Sequence, residues 1–347
     1  MSHERLTGLT LSSQYRMDYE THEPELYQQP HLHSSSIPQL PGELHDAIID
    51  AFSQTLSQSE SRYWKTTDFT RGLSNCSLVS RRWAVRCQHH LLHTISVSLQ
   101  IDPKRDDSSC DTTESSSLHH ASALNRLLED PSHAHLRDYV KEVELTDHQS
   151  YYKDGRRTIP ARFPWIQTPI ASLLRNLPSV ESWVIEGLVW RSEESSGISD
   201  ELRDAIRTSL RSCIRLRLLM DFASTSDFLQ LINSAPLLKS LEFWYSTVAD
   251  TPVDSIIGKQ HYARKVTPDS LSLQSGGRRL GFLLPAVQCR LDLSQLNTLQ
   301  YTGLDHHEAI VSSLLPIAAA NLKSLRIALD LKRTGESPFL HFLLELT

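Results

Sequence analysis

Apolar positions near the front of the chain recur at helical steps. Leu40, Leu44, Ile48, Ile49 and Phe52 are three or four residues apart, which predicts a helix with one apolar face. Pro41 suits its first turn, where a missing N–H costs nothing, and Glu43 suits the positive end of its dipole. A second apolar face follows in Phe69, Leu73, Cys76, Leu78 and Val79. A third starts at Arg81-Arg82-Trp83 and carries Val85, Leu91, Leu92 and Ile95. Three helices within residues 37–97 form a small unit with a thin core, and such a unit gains stability by burying apolar surface on another protein.

Further along, the period changes. The pattern apolar-x-x-apolar-x-apolar appears at Val140-x-x-Val143-x-Leu145, Val180-x-x-Trp183-x-Ile185, Leu238-x-x-Leu241-x-Phe243, Leu296-x-x-Leu299-x-Tyr301 and Leu322-x-x-Leu325-x-Ile327. Weaker copies start at Cys213 and Pro268. Residues two apart on a strand point the same way, so the last two apolar positions of each copy face a core. The alternate positions face outward and are mostly polar, which predicts a sheet with one open face. Helix-like stretches lie between the copies, at 168–178, 200–210, 226–236 and 307–316, and three of the four end at a proline. Copies 25 to 40 residues apart with helices between them resemble leucine-rich repeats, and the fold class expected is mixed α/β: a helical module, then an irregular repeat solenoid over 121–347, with an ordinary α/β domain on a parallel sheet as the rival. Residues 147–167 and 249–266 fall outside the register and are expected to project as loops.

The front module carries a more specific likeness. Leu40-Pro41-x-Glu43-Leu44-x-x-x-Ile48-Ile49, followed by Leu73-x-x-Cys76-Ser77-Leu78-Val79-Ser80-Arg81-x-Trp83, resembles the F-box, in the form common among fungal F-box proteins. One departure is a polar insertion at 53–66, where the family has a shorter link; a surface loop absorbs such growth at small entropic cost. The resemblance implies docking to a Skp-type adaptor and, through it, to a cullin-RING ubiquitin ligase. Carried over by position, Leu40, Pro41, Leu44, Ile48, Leu73, Cys76, Val79 and Trp83 supply the adaptor-binding surface. The repeat region then holds a protein substrate, and the chain itself is expected to catalyse nothing. The rival expectation is a non-catalytic repeat scaffold that never joins a ligase.

Composition narrows the classes. A net charge of −6 with 22% charged residues lacks the basic excess of a nucleic-acid binder. No stretch approaches the eighteen apolar residues of a membrane span, and the polar start Met1-Ser-His-Glu-Arg-Leu has no secretory core. Five scattered cysteines without a Cys-x-x-Cys pair suggest reduced thiols in the cytoplasm or nucleus. Residues 1–36 read as a disordered tail and 102–120 as a polar linker. Seventeen histidines raise the question of a metal, yet Cys87-x-His89 is too tight for a zinc site and no second pair follows it. No phosphate-binding loop or hydrolase elbow is present, and neither metal nor cofactor is expected.

The outward strand positions are the better candidates for binding. Trp244, Arg215, Arg217 and Arg326 are of the types that anchor interfaces, and a guanidinium fork suits acidic or phosphorylated groups. Glu142, Glu144 and Glu186 favour basic residues toward the front, and Glu242 and Gln300 complete the expected client-binding face. Trp190, just past a strand, is expected beside that face.

Overall fold

The computed structural model describes residues 41–58, 65–99, 116–147, 152–153, 156–157, 164–190, 198–222, 224–244, 246–248, 265–275, 287, 291–303, 314–329 and 340–345. Leu40, the tail 1–36, the linker up to residue 115, and the segment 249–264 lie outside them. The chain divides into two compact units, Met1–Leu91 and Leu92–Thr347.

The first unit holds helices α1 (Gly42–Gln58), α2 (Lys65–Ser77) and α3 (Arg81–His93). Pro41 stands just before α1 and accepts from the Leu44 N–H at 3.1 Å, so it opens the helix without giving up a ladder bond. Ser80 caps α3, its Oγ accepting from the Trp83 N–H at 3.2 Å. The core is small. Ile49, Leu73 and Cys87 are fully buried, with Cys76, Trp83 and Leu91 packed against them.

The second unit is built on one sheet of ten strands. Its spine runs β1 (Thr94–Ser98), β2 (Glu142–Thr146), β5 (Ser182–Trp190), β6 (Arg215–Phe222), β7 (Ser240–Trp244), β9 (Ser270–Ser275), β10 (Thr298–Gly303), β11 (Ser324–Leu329) and β12 (Leu340–Glu345). The first eight of these run parallel, β12 pairs antiparallel with β11, and β8 (Thr247–Val248) pairs with the far end of β6. A short antiparallel pair, β3 (Tyr152–Lys153) and β4 (Arg156–Arg157), stands apart from it. Helices α4 (Ser116–Glu129), α5 (Pro164–Arg175) and α6 (Asp200–Ser209) pack side by side, while α7 (Thr225–Asn233) lies against β6. Ser199 and Ser224 cap α6 and α7 through their hydroxyls.

The strands keep register across the sheet. Ile95, Val143, Trp183, Leu216, Leu241, Leu271, Leu299 and Leu325 form one inward row, and Val97, Leu145, Ile185, Leu218, Phe243, Leu273, Tyr301 and Ile327 form the next. A backbone bond just ahead of each strand pins that register. Lys141 N–H donates to His93 C=O, Ser182 to Lys141, Arg215 to Glu181, Ser240 to Ile214, Ser270 to Lys239, Thr298 to Asp269 and Ser324 to Asn297, all at 2.9–3.0 Å.

The mixed α/β class and the inward alternation therefore hold, but the coil of stacked repeats expected over 121–347 does not. The strands join a single continuous sheet, and among the described residues their connections are unequal: a full helix follows β2, β5 and β6, whereas the described stretch just ahead of β10 is a 3-10 turn, Leu293–Gln295. Unequal crossovers cannot repeat the fixed rotation per unit that a solenoid needs. Two boundaries also move. Residues 94–98, expected within the helical module, form the edge strand of the sheet, and α4 begins at Ser116 inside the expected linker.

Candidate partner-binding surfaces

In the helical unit, burial sorts the residues that the F-box likeness singles out. Leu44 and Ile48 are 51% and 47% exposed, and Phe52 continues their line one turn on. Spacings of four place these three along one stripe of α1, while Ile49 enters the core. Val79 is exposed, as are Pro41, Leu78 and Val85. Leu73 is fully buried, which takes it off any outer surface, while Cys76 and Trp83 are half-buried and pack on the same cluster. The Trp83 ring meets His45 edge to face at 5.9 Å, which uses the indole to seat α3 against α1.

Beside the core runs a polar cluster that sequence reasoning missed. Arg86 grips both oxygens of Asp50 at 2.7 and 2.6 Å. His90 Nε2 lies 2.8 Å from Asp50 Oδ1, and its Nδ1 lies 3.2 Å from Ser53 Oγ. Hydrogen bonding from Arg86, more than any other influence, holds the Asp50 carboxyl down from the ordinary 3.8 to about 2. A Ser-His-Asp order invites comparison with nucleophilic hydrolases. Ser53, however, lies inside α1, where backbone N–H groups are committed to i−4 carbonyls, so the paired donors of an oxyanion site are lacking there. The arrangement ties one helix to another.

In the sheet unit, the outward positions also fall into rows. Thr94, Glu142, Ser182, Arg215, Ser240, Ser270, Thr298 and Ser324 make one; Ser96, Glu144, Val184, Arg217, Glu242, Ser272, Gln300 and Arg326 make the next. All nine residues expected to bind a client, Trp244 included, share this face. Charge is unevenly spread along it. The outward positions of strands β1, β2 and β5 carry Glu142, Glu144 and Glu186 and no cation, and Glu144 accepts from Ser96 Oγ at 2.6 Å. Arg215 and Arg326 lie farther along. Arg217 is not an open fork: its Nε donates to Glu242 at 2.7 Å, and its guanidinium lies 4.6 Å from the centre of the Trp244 ring. Trp190, expected beside this face, is fully buried.

No known family model matches the chain, and no curated protein matches it.

Other chemistry is sparse. Among the described residues no group of three or more His, Cys, Asp or Glu side chains could hold a metal ion. Burial pushes the Cys87 thiol up to about 11 and the Cys213 thiol up to about 12, so neither offers a thiolate near neutrality. No described helix is long and apolar enough to cross a membrane.

Proposed function

We propose that the helical unit is an F-box-like module that docks a Skp-type adaptor of a cullin-RING ubiquitin ligase, and that the outward face of the sheet holds a protein client. One observation carries the first half: the Leu44–Ile48–Phe52 stripe stands exposed while Ile49, beside it on the same helix, is buried. A helical unit this small does not leave large apolar side chains in water without a use for them. Leu78, Val79 and Val85 extend the exposed apolar surface of the same unit.

The second half rests on the sheet face. Its acidic front favours a client segment rich in Lys or Arg, while Trp244, already stacked with Arg217, offers a rigid aromatic anchor. The chain makes or breaks no bond in this reading. It brings a client beside ubiquitin that the ligase has activated, and its contribution is proximity and orientation.

The test is a binding titration of the purified chain against a Skp-type adaptor. Leu44→Asp and Ile48→Asp each weaken binding at least tenfold while the melting temperature stays near that of the wild type, since neither side chain is in the core. A folded wild-type chain that fails to bind, or variants that bind undiminished, would overturn the reading.

A further inference from the structure

The polar cluster of the helical unit continues beyond Asp50. On α1, Asp46, Asp50 and Ser53 follow at steps of four and three; on α3, Arg82, Arg86 and His90 follow at steps of four. They meet in order. Arg82 reaches Asp46 at 3.5 Å, Arg86 holds Asp50 by two bonds, and His90 bridges Asp50 and Ser53. At 3.6 residues per turn, the stripe Asp46–Asp50–Ser53 lies on the side of α1 opposite the stripe Leu44–Ile48–Phe52. Between the two stripes, Ile49 enters the apolar core.

We propose that this clasp sets the rotation of α1, so that Asp50, Arg86 and His90 are positioning residues for the docking stripe without touching the docked partner. Apolar burial at Ile49 fixes where α1 sits but is not directional, so it resists rotation about the helix axis only weakly. A row of paired groups at three levels along the axis is directional. A bidentate Arg–carboxylate pair is the most directional of these links, because its two parallel bonds fail together if the helix turns. With the clasp closed, the stripe is presented in one orientation, and the entropy of ordering it is removed from the cost of binding.

This inference rests on the docking role proposed above, and its test separates the two. Hydrogen exchange is measured on the full chain for wild type, Asp50→Asn and Asp50→Glu, with and without a Skp-type adaptor. In Asp50→Asn the α1 amides exchange at least tenfold faster while those of α2 and the sheet strands keep their wild-type rates. Asp50→Glu, which keeps the charge, stays within about threefold of wild type. Adaptor affinity falls about tenfold in Asp50→Asn, and saturating adaptor returns α1 to wild-type protection. Unchanged α1 exchange would overturn the clasp, and so would equal acceleration across all three helices, which would mark Asp50 as general support for the fold. If the wild-type chain binds no adaptor, the docking role fails, and the exchange rates alone still decide whether the clasp orients α1.

Discussion

The two units solve the same problem, holding short elements together, in opposite ways. In the sheet unit, successive strands stack apolar side chains in continuous inward rows. Val143, Trp183, Leu216, Leu241, Leu271 and Leu299 are all essentially inaccessible. Each inner strand is held by its two neighbours, and the exposed large apolar side chains described in this unit, Leu237 and Ile317, are far fewer than its buried ones. The helical unit buries Ile49, Leu73 and Cys87, adds a polar clasp, and leaves Leu44, Ile48, Leu78, Val79 and Val85 in water. In the proposed reading the difference separates a scaffold from a connector: the sheet unit closes most of its apolar residues on themselves, and the apolar residues lining the outside of the helical unit are the surface offered to a partner.

The sharpest way to break this contrast is to truncate one apolar side chain in each unit. Phe243 is fully buried on β7 with its ring 5.7 Å from that of Phe228. Phe243→Ala is expected to cost about 3–5 kcal/mol in urea unfolding of the sheet. Val85→Ala, in the exposed part of α3, is expected to change stability by less than about 0.5 kcal/mol. Similar costs at the two positions would mean that the helical surface is a second core and not an open one.

A backbone site refines the picture of the sheet as self-sufficient. Gly187 has φ +75°, and a Cβ there would lie 1.9 Å from the Asp147 carbonyl oxygen. Neighbouring Glu186 accepts from the Asp147 N–H at 2.8 Å, which holds the two backbones together. Gly187→Ala combines left-handed strain with a clash that backbone cannot easily relieve, so about 2–3 kcal/mol is expected in the same urea experiment. A loss confined to the sheet transition is the expected signature.

Gly187 also explains where the sequence misled. Register between β5 and β6 slips between Glu186 and Val189, and after the slip Leu188, Val189 and Trp190 are all buried. Strict alternation from Ile185 puts Trp190 outward; a glycine inside a strand was the available sign of a bulge. The inward rows were legible because a period of two survives any connection length. Strand β1 was legible too, since Leu92-x-x-Ile95-x-Val97 repeats the strand motif, but its nearness to the helical pattern hid it. On the module, helical spacing identified the apolar stripes, yet it could not tell Leu44 from Leu73, because burial depends on which helices meet. The clasp was out of reach for the same reason. Its partners are 36 to 40 residues apart, and each half alone looks like an ordinary charged helix face. The uneven connections that replace a repeating coil with one sheet leave no periodic trace at all.

The smallest effect expected above the near-neutral substitutions is the one most particular to the helical unit, and it depends on pH. Asp50 carries the carboxyl held down to about 2, chiefly by Arg86 and with help from His90. A carboxylate depressed in the folded chain stabilises it fully above the unfolded value near 3.8 and loses that contribution as pH falls toward 2. Asp50→Asn removes the charge at every pH. The variant should therefore be less stable than wild type by about 1 kcal/mol between pH 5 and 7, the size of a half-exposed ion pair, with the gap closing as pH falls from about 4 to about 2. Thermal melts followed by helical circular dichroism at each pH measure the gap. The same titration on Glu242→Gln, whose partner Arg217 sits over Trp244 on the sheet, provides the comparison. Because inward rows already fix β6 and β7, losing one outward pair there should leave that unit's melt within about 0.5 kcal/mol of wild type. A larger loss from Glu242 than from Asp50 would place the ion pairs' structural weight in the sheet, and the contrast between a finished scaffold and a clasped connector would fail.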